Sequence, residues 1–96
     1  MSKLTDDQIR AGLEKLEGWQ REGDAIHRQF TFPDFASAMA FASKVAGKAE
    51  AAQHHPDILI QYSKVTLTLS THDAGGLTEK DLSLAEVLDG VYSRHV

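Results

Sequence analysis

Apolar residues recur along this chain with two different periods, and the switches between them divide it into seven segments. Ile9, Leu13 and Leu16 recur at i, i+4 and i+7, one stripe of a helix. Its start lies in "LTDDQI". Thr5 is the N-cap, Gln8 at N3 completes a capping box, and Leu4 and Ile9 form the hydrophobic staple. Gly18 suits the left-handed residue that closes a helix, so the first helix runs from Thr5 to Glu17. Trp19 to Arg21 and Ala25 to Phe32 read as strands joined at "EGD", with Gly23 supplying the positive φ of the turn. Arg28 shares a face with Ile26, Phe30 and Phe32, which predicts that one face of this hairpin is solvated or covered by a partner.

After Pro33 and Asp34 the period returns to 3.6. Phe35, Ala38, Met39, Ala42, Val45, Ala46, Ala49 and Ala52 fall on one stripe, and the run of alanines predicts close packing. Gly47 sits opposite and costs about 1 kcal/mol relative to alanine. Pro56 disfavours helical geometry at His55, which predicts a helix end near His54. Ile58 to Tyr62 and Lys64 to Ser70 form a second hairpin, in which Val65, Leu67 and Leu69 face one way. "LTEKDL" repeats the opening grammar, with Thr78 as N-cap, Asp81 at N3 and Leu77 with Leu82 as staple. Leu84, Leu88, Val91 and Tyr92 carry the apolar side of a last helix ending near Arg94. The order α-β-β-α-β-β-α predicts an α+β fold, a four-stranded antiparallel sheet with three helices on one face. Its 96 residues suit a single domain spanning 1–96.

Charge and composition narrow the function classes. A net charge of −4 offers no basic stripe for nucleic acid or for an anionic membrane surface. The absence of cysteine excludes disulfides and thiolate zinc sites. Charged residues from Lys3 to Glu17 leave no room for a signal peptide's apolar core, and no run is long enough to span a bilayer. A cytoplasmic location is the expectation.

The chemistry concentrates in "EAAQHHPD", residues 50 to 57. His54 and His55 end an amphipathic helix, and His72 follows the end of a neighbouring strand. Partly protonated imidazoles at a helix C-terminus favour its dipole, which accounts for one of them and leaves the others to be explained. Glu50 stands four residues before His54, on one helical face, and is placed to orient it. Three histidines and a carboxylate also suit zinc, but adjacent helical side chains diverge by about 100°. Asp81 reads both as a capping acid and, lying between Leu88 and Tyr92 on the wheel, as an inward-facing functional carboxylate. His27 and His95 have no neighbouring acid or motif and read as surface residues. Phosphate-binding glycine loops, a nucleophile elbow and H-E-x-x-H are all missing.

"EAAQHHPDILIQYSKVTLTLSTHDAGGLTEKDL" resembles the signature of the pterin-4a-carbinolamine dehydratases. The matching positions are Glu50, His54, His55, Pro56, Tyr62, Lys64–Val65, Thr71–His72, Gly76–Leu77–Thr78 and Asp81. Upstream, Trp19 and "FPDF" at Phe32 to Phe35 fit as well. Where animal relatives carry a tryptophan soon after His-His-Pro, this chain has Ile58, Leu59 and Ile60. The resemblance implies dehydration of 4a-hydroxytetrahydropterin to the quinonoid dihydropterin, without metal or cofactor. It implies a homodimer or homotetramer that recycles the cofactor of an aromatic amino acid hydroxylase. His54 and His72 are then the acid–base pair, in an order left open, and His55 positions the hydroxyl or ring. Glu50 orients His54, Asp81 holds the pterin or a histidine, and Pro56 and Thr71 support the site. The alternative is a non-catalytic binding module of the same fold, either a transcription-factor dimerisation cofactor or an enzyme assembly factor.

Overall fold

The computed structural model describes residues 3–95, with the side chain of residue 95 left aside. The elements are α1 (Asp6–Leu13), β1 (Gln20–Glu22), β2 (Ala25–Thr31), α2 (Phe35–Ala52), β3 (Asp57–Gln61), β4 (Lys64–Leu69), a 3-10 turn (His72–Ala74) and α3 (Glu79–His95). The predicted element order and α+β class are those observed. The strands form one antiparallel sheet in the order β1-β2-β4-β3, which puts the two central strands in the two different hairpins.

Helix α1 starts as the capping box dictates. Gln8 N–H donates to Thr5 Oγ1 at 3.2 Å and Thr5 N–H to Gln8 Oε1 at 2.9 Å. It ends as an α-helix at Leu13 rather than at Glu17, because Lys15 and Leu16 bond three residues back and tighten the chain into turns. Gly18 takes the left-handed φ of 91° expected of it, and Gly23, φ 62°, makes the β1–β2 turn.

One sheet face is covered. Val65, Leu67 and Leu69 of β4 and Ile26 and Phe30 of β2 are buried against the helices, while Thr66 and Thr68 face the open side. Register follows from that alternation, with Ile26 opposite Leu69 and Phe30 opposite Val65. Arg28 lies on this covered face, under α3 and mostly out of solvent. Its Nη1 meets Asp89 Oδ1 at 2.8 Å, and its guanidinium stands 4.5 Å from the Phe30 ring centroid and 5.4 Å from that of Tyr92. Trp19 Nε1–H donates to the same Asp89 oxygen at 2.8 Å. A charge on the apolar face is thus neutralised and stacked.

The buried stripe of α2 is Ala38, Phe41, Ala42, Val45 and Ala49. Phe35 and Met39, expected on it, are half-exposed, and Phe41 takes their place among Phe30, Phe32 and Tyr92. The helix ends at Ala52, close to His54 as expected. Gln53 adopts a left-handed φ of 51°, its N–H reaches Glu50 O and the His54 N–H reaches Ala49 O. That six-to-one and five-to-two pairing closes the helix before Pro56 has any influence.

Candidate active site

Two short segments meet at one end of the sheet, residues 54–57 leading into β3 and residues 70–72 leaving β4. Each sends one side chain inward and the next outward, as neighbouring residues of extended chain do.

The inward layer centres on Asp81, which is fully buried. His54 Nε2 lies 2.5 Å from Oδ1. On Oδ2 converge the Thr71 hydroxyl at 2.8 Å and the Thr78 N–H at 2.9 Å. Thr71 and Thr78 hydroxyls are 2.9 Å apart, and Thr78 Oγ1 also accepts the Lys80 N–H at 3.3 Å. Three donors on one buried acid are the arrangement that suits a carboxylate. They also make Asp81 the reciprocal half of the cap on α3, so the capping and inward-facing readings hold together. Because an ionised carboxylate only accepts, it selects the His54 tautomer with hydrogen on Nε2. Among the described residues no buried side-chain polar atom lacks a partner.

The outward layer is a small recess of about 30 Å³ lined by His55, Asp57, Thr68, Ser70 and His72. His55 Nε2 meets Glu50 Oε1 at 3.1 Å. This corrects the expectation that Glu50 orients His54. The left-handed turn at Gln53 takes the chain off the helical wheel, so the fourth residue swings inward and the fifth returns over Glu50. Pro56 follows half-buried, holding the chain extended into β3. His72 opens the 3-10 turn, in a loop closed by Thr71 N–H to Gly76 O at 3.0 Å.

The sequence reading thus found His54, His55, His72, Thr71, Glu50 and Asp81 near one another but not their sorting into two layers. Asp57, Thr68 and Ser70 were missed as recess walls. Asp57 was visible in the "HHPD" stretch, while the other two looked like ordinary open-face strand residues. His27, in register with Thr68, is half-buried on the same sheet face without lining the recess. His95 falls outside the described side chains. No group of three or more His, Cys, Asp or Glu is arranged as metal ligands among the described residues, since His54 faces away from His55 and His72. His54 instead borders a separate cleft of about 500 Å³ between α2 and α3, floored by Ala51, Ala52, Leu84 and Val87.

Residues 2–91 match the family model described as pterin 4 alpha carbinolamine dehydratase. The chain belongs to that family. A Thermomicrobium roseum protein named "Putative pterin-4-alpha-carbinolamine dehydratase" is 50% identical over 88 residues, 92% of this chain and 95% of that relative. A Roseiflexus sp. protein of the same name is 52% identical over 90 residues, covering 94% and 97%. Among solved structures, the transcriptional coactivator/pterin dehydratase from Brucella melitensis superposes with a TM-score of 0.91 at 35% identity, over 95% of this chain and 99% of that one. A pterin dehydratase-like protein identified as a RuBisCO assembly factor in the alpha-carboxysome shares the fold, with a TM-score of 0.63 at 24% identity over 77% and 86%. No helix among the described residues is long and apolar enough to cross a membrane.

Proposed function

We propose that this protein dehydrates 4a-hydroxytetrahydropterin to quinonoid dihydropterin by histidine acid–base chemistry. The observation that carries the reading is that His55 and His72, from two different segments, share one recess, while their chain neighbours His54 and Thr71 both bind the buried Asp81. The reaction needs one proton delivered to the departing 4a-hydroxyl, which leaves as water, and one proton removed from N5 as the C4a–N5 double bond forms. An imidazole gives or takes a proton near neutral pH, and two of them beside one ring edge supply both transfers.

His55 and His72 contact the pterin in this reading. His54, nine-tenths buried and bound to Asp81, is a positioning residue that fixes both segments. This departs from the pairing of His54 with His72 implied by the resemblance, on the ground of exposure. The protein works in the cytoplasm, serves an aromatic amino acid hydroxylase and requires no metal or cofactor. Self-association is supported by β3, an edge strand that exposes Ile58 and Leu59.

Turnover of freshly generated 4a-hydroxytetrahydropterin tests the proposal. His55→Ala and His72→Ala are expected to lower kcat/KM by about 10²–10⁴, with His54→Ala losing stability as well as activity. A wild-type protein that does not accelerate dehydration sinks the enzyme reading and leaves a binding module. A His55→Ala variant with full kcat/KM beside an inactive, folded His54→Ala restores the other pairing.

A further inference from the structure

The recess is too small to hold a bicyclic ring. At about 30 Å³ it admits only groups on a ring's edge, so a pterin must lie over it and be read by the side chains it meets. The two imidazoles are committed to the C4a–N5 edge in the dehydratase reading, on which this inference rests. Ser70 has already given its hydroxyl hydrogen to the Asp24 carbonyl, at 2.7 Å, and Thr68 is a neutral hydroxyl. Among the described residues no acid other than Asp57 lines the recess, and Glu50 is bound to His55.

That leaves Asp57. It opens β3 directly opposite Thr68, the two residues of a ladder pair sharing a sheet face. Its carboxylate makes no hydrogen bond or ion pair with a described residue, so both oxygens are available. Away from C4a and N5, a pterin presents ring N3–H and the exocyclic 2-amino group side by side. Two adjacent N–H donors match the two oxygens of one carboxylate, the fork-to-fork pairing otherwise made by arginine. We propose that Asp57 is the specificity-determining residue of this site, accepting from N3–H and the 2-amino group of the pterin while His55 and His72 face C4a and N5. The step involves no transfer of its own. It sets the register of the ring over the recess, and it selects 2-amino-4-oxo rings over rings without the amino group.

The test pairs kinetics with equilibrium binding. Wild type and Asp57→Asn are assayed with 4a-hydroxytetrahydropterin, and both are titrated with 7,8-dihydropterin and with its 2-desamino analogue. Asparagine keeps the shape but replaces one acceptor with a donor, so KM and the dihydropterin Kd should rise about tenfold, the effect falling on KM rather than kcat. Wild type should bind the desamino analogue about tenfold more weakly than dihydropterin, and Asp57→Asn should lose that discrimination. A variant with wild-type Kd, or one that still discriminates as wild type does, overturns the assignment. So does a wild type that binds neither compound. If wild type binds dihydropterin with the predicted discrimination yet does not turn over substrate, the dehydratase reading fails while the recognition by Asp57 stands.

Discussion

Asp81 offers the sharpest separation of structure from activity, because one carboxylate holds three donors from three segments. Replacing it with alanine strands the buried Thr78 N–H and the His54 Nε2–H. The Thr71 hydroxyl can still turn to Thr78 Oγ1, 2.9 Å away. Each stranded buried donor costs about 1–3 kcal/mol. The lost negative charge at the start of α3 adds about 0.3–2 kcal/mol. The expected total is about 2–8 kcal/mol, which spans the cost of breaking a buried pair, out of a stability of about 5–15 kcal/mol for a domain. Asp81→Asn is milder. Its carbonyl oxygen keeps Thr78 and Thr71, but its NH₂ meets His54, which must then offer a lone pair on Nε2 and carry hydrogen on Nδ1. Stability should fall by about 1–2 kcal/mol, read as a loss of about 4–15 °C in Tm. The altered tautomer should lower kcat/KM by about 10–100-fold, or about 1.4–2.7 kcal/mol of transition-state stabilisation. Urea unfolding measures the first quantity, turnover the second, and ¹⁵N shifts of the imidazole report the tautomer directly. Thr78→Ala is the control. It removes the acceptor of the Lys80 N–H, costs about 0.5–2 kcal/mol and leaves the carboxylate in place, so activity should persist. Full turnover in Asp81→Asn, with the two variants equally destabilised, would show that the carboxylate caps α3 and does nothing for the site.

Three further outcomes are expected. An added Cβ at Gly47 meets open space, so Gly47→Ala should stabilise the protein by about 0.5–1 kcal/mol; an unchanged or lower Tm refutes the helix-propensity account. Asp34 caps α2, and the Ser37 backbone N–H, with the Ser37 side chain second, holds its carboxyl below the ordinary value of 3.8. A lowered folded pKa means that its stabilisation is complete above the unfolded value and fades as pH falls through the folded one. The Tm gap between wild type and Asp34→Ala should therefore be widest near neutrality and close in strong acid, whereas a gap independent of pH argues against the cap. Sedimentation should show self-association at micromolar concentration, weakened by Leu59→Lys on the exposed β3 edge; a monomeric wild type refutes it.

The order of elements was legible because it depends on local physics. Thr5–Gln8 caps α1 wherever the helix docks, and Val65, Leu67 and Leu69 alternate inward in any sheet with one covered face. The family signature likewise lies within one contiguous third of the chain, so it could be read without the fold. Strand order, by contrast, depends on which hairpin edges meet, and the contact between β2 and β4 brings together residues about forty apart in the chain. The neutralisation of Arg28 required α3 to cross the sheet with Asp89 above it, a partner 61 positions away. Most telling is the site. Spacing placed Glu50 and His54 on one helical face, and that inference failed because a single left-handed residue, Gln53, changed the period from 3.6 to 2 within one step. Residue types and their nearness were written in the sequence. Which histidine faces the buried Asp81 and which faces the open recess was decided by the backbone conformation of one residue and by the docking of α3 against it.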